Sequence, residues 1–464
     1  MTGPTTRTTP QPAAAPARGA ALTPTRDCDV CVVGDDAAGL LVACDLAARG
    51  QDVVLFPTPG EAPTLGLDAS LAPGFALPAR DLVAQVGAVD AAELLALSVE
   101  AAQRGLLLAQ EAGLAIGPKG RLKVARAHAA AQLAAEHETL QGLAPDSSVL
   151  LGAADVAGLL GTPAFTAALG LAPAHRLDAA AFRGVLAAAA AEGELAIMPP
   201  TQALSADVHG LRKYVTAPGV RVRAFHVVFS GGAALSRVAP ELVPSLVPTP
   251  WVCGRFHVAG AAVPFAGLAE EVGGTGLRWH WDGERLALAA ETATRVAGRA
   301  AAARILRRHG AAVAPGIEDA PGEGTRGLLL AQTRRLMPLI QEGPKGVWYC
   351  VTPGGDALTH AIMGADLVVR AIANHDDRIR LLGPFGLEPA DTRPVPPLGR
   401  MADYWRRHVA DGLPGPAGAT APVSPAQRAG APAGVAATVA AFWRRLARSA
   451  ARLSRSAAER TSRE

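Results

Sequence analysis

Between Asp29 and Phe56 an apolar run, a turn bounded by glycines, an apolar helical stretch and a second apolar run follow one another with few residues to spare. The run Asp29-Val30-Cys31-Val32-Val33 is short and β-branched, so it reads as a buried strand. The turn 34–39 feeds a helix expected over 37–49, with Gly50 just past its end, and a second strand follows at 52–56. Strand, tight turn, helix and parallel strand is the opening of a doubly wound unit, so the fold class expected is α/β with a Rossmann-like first domain. Order is expected from about Asp27. Residues 1–26 are rich in Thr and Pro, with three Arg, no acid and no apolar leader core, and are expected to be unordered.

The remaining chain carries more of the same grammar. Helical periodicity covers 91–112, where Leu94, Leu95, Val99, Leu106 and Leu107 suggest a buried stripe, and also 178–191, 294–309 and 357–374. A buried strand at 225–229 stops at Ser230-Gly231-Gly232, and another, at 347–351, stops at Pro353-Gly354-Gly355. Short alternating runs across 251–288 fit antiparallel strands. Half of the 464 residues are apolar, enough for two full cores, and only 4% are aromatic, so those cores rest on aliphatic side chains. No run of 18 uncharged apolar residues occurs, and no transmembrane span is expected.

Charge and cysteine content exclude several classes. The net charge is +3, and it belongs to the tail: residues 434–464 hold seven Arg against two Glu, leaving 37 basic against 39 acidic groups elsewhere. That balance argues against nucleic acid. Five cysteines form no disulfide framework, and Cys28 and Cys31 flank a strand, where packing is a better account than redox or metal chemistry. No histidine spacing suits zinc, and no acidic cluster suits a hard cation. After a Pro- and Ala-rich linker at 401–434, Val435, Val439, Phe442, Leu446 and Leu453 fall on one helical face, with Arg444, Arg445, Arg448, Arg452 and Arg455 on the others. A helix over 435–464 would suit an anionic membrane surface, an acidic protein partner, or simple docking.

A glycine turn between strand and helix lets backbone N–H groups and the helix N-terminus approach a pyrophosphate. The usual spacing is G-x-G-x-x-G, with an acid after the second strand for a ribose. Here Gly34 and Gly39 keep the outer positions, Asp36 stands at the middle one, and Pro57 stands where the acid belongs. A carboxylate about 4 Å from a phosphate charge costs about 4 kcal/mol at an effective dielectric near 20. Losing the ribose acceptor costs about 1–3 kcal/mol more. A nanomolar site starts from about 12 kcal/mol, so the affinity expected is micromolar.

From about Asp27 to Pro389 the order of elements resembles the FAD-dependent oxidoreductases related to D-amino-acid oxidase, most of all gamma-glutamylputrescine oxidase and its relatives. The pieces that carry this are Asp29–Gly34, His175-Arg176-Leu177-Asp178, Ser230-Gly231-Gly232-Ala233 with Pro240-Glu241-Leu242, Arg335-Leu336-Met337-Pro338-Leu339-Ile340, and the closing strand, turn and helix at 347–371. The resemblance implies a D-amino-acid oxidase-like fold: an FAD domain over about 27–90, 145–232 and 310–390, with a mixed-sheet substrate domain over about 91–144 and 233–309, all within 27–400. It implies FAD as cofactor, a small amine or amino acid as substrate, and hydride transfer from the carbon beside nitrogen. Gly34, Gly39, Ser70, Gly354 and Gly355 would lie against the cofactor. Departures cluster there: Asp36, Pro57, Ala72 and Pro73 in the loop that keeps Ala69, Ser70 and Gly74, and Asp356 in the last turn. They leave open a flavin-poor, catalytically silent relative that acts as a binding or partner subunit. Asp356 also reads as an ordinary helix cap.

No catalytic residue carries over from the resemblance. His175, His209, His226, His257 and His280, the aromatic Trp279-His280-Trp281, Tyr214 and Tyr349 are candidates for the substrate site, each with core packing or surface exposure as the plainer account. A cytoplasmic location is expected, with peripheral membrane attachment through the last helix as an option.

Overall fold

The computed structural model describes residues 24–405 other than 59–66, 68, 118–119, 146, 172–173, 194, 261–264, 275, 353–357, 390–391, 393–398, 400 and 403. The expected linker and basic helix at 401–464 therefore lie almost wholly outside the described residues.

The expected opening unit is present. Strand Thr25–Val33 runs into helix Ala37–Ala47 and then strand Val53–Phe56. The first strand begins two residues before Asp27, because Thr25 and Arg26 pair in parallel with Arg221 and Val222. That corrects the expectation that residues through 26 are unordered. The first strand sits between Val53–Phe56 and the long strand Val220–Gly231, parallel to both. Val220–Gly231 is paired differently at its two ends. Its first half accepts the antiparallel strand Lys213–Ala217, and its second half the parallel strand Val347–Val351. Short strands at Ala196–Ile197, Ser205–Asp207 and Leu339–Glu342 complete this eight-stranded sheet.

Both faces of the sheet are buried, which explains why its strands read as continuous apolar runs. Val30, Val32, Val53 and Leu55 face helices Ala37–Ala47 and Leu358–Asn374. Cys31, Val33, Val54 and Phe56 face the opposite layer, which includes Leu204, Val208, Val215, Leu235 and Leu242. All five cysteines are free thiols. Burial is the main cause raising every one of them, Cys28 to about 12, so none is poised as a thiolate.

A second eight-stranded sheet is mostly antiparallel, with one parallel pair between Arg121–Ala125 and Leu268–Glu271. Helix Arg299–Gly310 packs on one of its faces. Its strands include Ser148–Gly152, Ala167–Leu171 and Gly322–Thr333, which the sequence assigns to the cofactor part. They join this sheet because their partners, Arg121–Ala125 and Leu246–His257, are in it. A small sheet of Ala69–Leu71, His175–Leu177 and Ile116–Gly117 forms a third unit.

The helix expected over 91–112 extends back to Ala79 as Ala79–Glu111, with a break at Gly87, whose φ of 82° no helix contains. It packs on Leu358–Asn374 and shares the helix-side core of the first sheet, although 91–144 is expected in the substrate part. Leu94 and Leu95 are buried as the stripe requires, but Leu107 is exposed. By length and composition this is the one described helix that could cross a membrane. Only its core-facing side is buried. The helix expected from Thr294 starts at Arg299, since Gly298 at φ 88° blocks earlier entry.

Candidate functional site

The site grows from the junction of three parallel strands. Register places Val33 beside Phe56 on one side and Phe229 on the other, so the turn at Gly34 and the turn at Ser230 emerge side by side. Gly34 has φ +130°, and its N–H donates to the Phe56 carbonyl at 2.9 Å. A Cβ at Gly34 would run into the Ser230 carbonyl, and one at Gly39 into the Gly34 carbonyl. Both glycines are therefore demanded by close backbone approach.

Asp36 is the N-cap of helix Ala37–Ala47, with extended backbone at φ −72° and ψ 177°. Its Oδ1 accepts from the Gly39 N–H at 3.0 Å and from the Ser230 hydroxyl. Burial raises its carboxyl above the usual range, and the Ser230 and Gly39 bonds pull it partly back. Asp35 points the other way. It accepts from Thr58 N–H and Oγ1, each at 3.2 Å, and pairs with Arg183, whose Nε also donates to the Asp35 carbonyl at 2.8 Å. Pro57 follows the second strand directly and is partly exposed.

The loop after residue 68 is fixed to the helix side of the same sheet. Ser70 is buried and pairs with Arg176 in the small sheet. Thr359 Oγ1 accepts from the Ala72 N–H at 3.0 Å and donates to the Ser70 carbonyl at 3.4 Å. Gly74 N–H donates to Ser98 Oγ at 2.9 Å. His360 Nε2 lies 2.9 Å from the Gly74 carbonyl, and its ring stacks on Phe75 at 5.2 Å. Gly354, Gly355 and Asp356 lie outside the described residues, between the strand ending at Val351 and the helix starting at Leu358.

The candidate substrate-site residues do not converge. Trp279 and Trp281 are buried in the core that helix Arg299–Gly310 shares, in line with the plainer account of core packing. His280 lies between them on the opposite face. Burial, then the charges of Arg176 and Arg255, push it down to about 3, so it stays neutral. His226 accepts from Trp348 Nε1 at 3.1 Å in the first sheet, and His257 pairs with Glu284 at a strand end. His175 opens a strand of the small sheet, and His209 lies exposed in a turn. Tyr349 is fully buried, stacks on Phe229 and donates to Glu241. Tyr214 lies under the Arg221 guanidinium at 3.9 Å. Among the described residues no three His, Cys, Asp or Glu side chains could hold a metal ion together.

Sequence reasoning missed Arg183, Thr58, Thr359 and Ser98. Each is a lone polar residue whose partner lies far along the chain. Ser230 had a signal, since a small polar residue ending a strand parallel to the first must stand beside the first turn.

Residues 29–371, about three quarters of the chain, match the family described as DAO: FAD dependent oxidoreductase. The chain belongs to this family. Several solved structures resemble it in fold. Glycine oxidase from Geobacillus kaustophilus superposes with TM-score 0.62 at 19% identity, over 78% of this chain and 98% of the other. L-proline dehydrogenase from P. horikoshii gives 0.62 at 13%, over 78% and 98%. Iminodiacetate oxidase from Chelativorans sp. BNC1 gives 0.57 at 18%, over 79% and 97%. No curated protein sequence matches the chain.

The family's cofactor is FAD. In a fold of this kind the pyrophosphate sits on the first helix N-terminus, beside the glycine turn. Here Gly34 and Gly39 let the turn close tightly on the Ser230 and Gly34 carbonyls at the helix mouth, the compact turn such a cradle needs. The Asp36 carboxylate, however, already accepts the Gly39 N–H that a phosphate would use. Ionised, it opposes a phosphate charge about 4 Å away by about 4 kcal/mol at an effective dielectric near 20; neutral, it does not. The residues therefore fit FAD with Asp36 protonated and resist it with Asp36 charged.

Proposed function

We propose that this protein is an FAD-dependent oxidoreductase of a small amine or amino acid. The observation that carries the reading is the glycine cradle at Gly34 and Gly39, set beneath the Ser230 turn on a scaffold that matches the family from strand 1 to the last helix. The similar structures are named for glycine, L-proline and iminodiacetate, all small and all bearing nitrogen beside a carbon that carries hydrogen. Bound FAD would supply the two-electron acceptor for a hydride from that carbon. The chain's own part is to hold and orient. The first turn and helix receive the pyrophosphate, and Thr359, His360 and Ser98 pin the loop 69–75 over the last helix. The finer sequence resemblance, to gamma-glutamylputrescine oxidase, favours a polyamine-derived amine.

A second reading is favoured by the Asp36 contacts and by Pro57 after the second strand. It is a flavin-poor, catalytically silent relative kept as a binding or partner subunit. The flavin spectrum of the purified protein separates the two. Yellow protein, or uptake of FAD followed by turnover in a panel of amines and amino acids, supports the enzyme. Colourless protein that ignores FAD at tens of micromolar leaves the partner reading. The basic amphipathic segment 435–464 suits attachment to an anionic membrane surface, giving a cytoplasmic protein with peripheral attachment. Flotation with anionic liposomes should be lost when residues after Gly434 are removed; equal flotation of both forms would sink the idea.

A further inference from the structure

The mouth of the first helix is furnished with an anion by the chain itself. One Asp36 oxygen accepts both the Gly39 N–H, within the helix, and the Ser230 hydroxyl, from the neighbouring strand. The capping carboxylate is thus bonded across two elements, in the place a ligand phosphate would take. Among the described residues the groups facing it are few. Asp35 belongs to the same turn, Arg183 to helix Ala179–Glu192, Ser230 to strand Val220–Gly231, and Cys350 to strand Val347–Val351. Arg183 is committed to Asp35 through both its carboxylate and its carbonyl. The Cys350 thiol is neutral, raised by burial and by Asp36. Among the described residues, no cation pairs with Asp36. Among the described residues the charge at the helix mouth is balanced by the helix terminus, one hydroxyl and, without direct pairing, the charge of Arg183.

We propose that Asp36 is a built-in phosphate substitute that gates the cofactor site: FAD seats its pyrophosphate on the first helix only when the Asp36 carboxylate is protonated, so that binding takes up one proton. The proposal rests on the cofactor reading above and sharpens it. It also unites the two functional readings, since one chain would be flavin-poor at higher pH and flavin-competent at lower pH. Burial, which raises the Asp36 carboxyl, brings the required proton within easier reach.

The test is titration of the full-length chain with FAD, followed by flavin fluorescence, between about pH 5.5 and about pH 7.5. If only the protonated fraction binds, apparent affinity falls about tenfold for each pH unit above the Asp36 pKa. Asp36→Gly should bind FAD more tightly than the natural chain at the upper pH and without that slope. Asp36→Asn keeps a capping oxygen without the titrating proton, so it too should lose the slope. A flat profile in the natural chain would overturn the gate, and if that binding were also tight, the oxidoreductase reading would survive. A Gly variant that folds by circular dichroism yet takes up no FAD at any pH would overturn the gate while leaving the flavin-poor reading standing. Should the Gly variant fail to fold, the Asn variant decides: a slope equal to that of the natural chain refutes the proposal.

Discussion

At the residue scale, what decides is which polar atoms share a small buried volume. Tyr349 is the clearest structural case. Its ring is fully buried on Phe229, and its hydroxyl donates to Glu241 from the segment Pro240–Ser245. Burial first, then the Glu241 contact, raises its pKa, so it remains a neutral donor. Tyr349→Phe removes that donor and leaves Glu241 short of a partner, at a cost of about 1–3 kcal/mol in urea unfolding. A change below a few tenths would mean that water replaces the hydroxyl. The neighbouring Gly34 makes a sharper prediction, because φ +130° and the Ser230 carbonyl act together. Gly34→Ala should cost roughly 3 kcal/mol or more. Gly87, at φ 82° but with open space around its Cα, should cost only about 1–2 kcal/mol on the same change. Equal losses at the two sites, measured by thermal unfolding, would show that the Ser230 contact relaxes away.

At the element scale, the second sheet depends on one charged junction. Glu270 lies between Arg121, at 2.6 Å, and Arg278, at 2.9 Å, where the sheet's one parallel pair meets an antiparallel one. Burial pushes its carboxyl up, but the Arg278 and Arg121 charges outweigh burial and hold it well below the usual carboxylate range. A depressed folded-state pKa stabilises above the ordinary glutamate value and loses that contribution as pH falls through the folded value. Unfolding midpoints of the natural chain should therefore fall with acidification below about pH 4.5, and Glu270→Gln should flatten part of that fall. The same variant should cost roughly 3–5 kcal/mol near neutrality, since it removes the carboxylate charge from between two largely buried guanidiniums. An unchanged midpoint at neutral pH would show that water reaches both arginines. Elements marked by their own apolar spacing or by a capping residue were legible. Strand Val347–Val351 and the cap of helix Ala179–Glu192 at Asp178 fall where periodicity puts them. The start of helix Arg299–Gly310 was not, because Gly298 acts through its backbone conformation and leaves no mark on apolar spacing.

At the scale of the whole molecule, cofactor binding and stability are one equilibrium. A ligand that binds only the folded chain adds about 2.7 kcal/mol at a hundred times its dissociation constant. If Asp36 gates the site, a fixed FAD concentration should raise the unfolding temperature more in mildly acid buffer than in neutral buffer. A shift independent of pH would overturn the gate. Membership of the two large sheets also belongs to this scale. Strand Gly322–Thr333 is polar over its first half and carries no strand signal of its own, and only its antiparallel partner Leu246–His257 carries it into the second sheet.

The sequence by itself determined the first strand, turn, helix and strand, because their spacing admits few other folds and the outer glycines answer a local steric demand. It also named the residues of that turn, Asp36 among them. Tertiary structure alone decided what Asp36 does there. Its carboxylate meets a serine 194 positions away, and whether such an oxygen accepts a hydroxyl or faces a ligand depends on strand register, which sets distances in space that spacing along a chain does not encode.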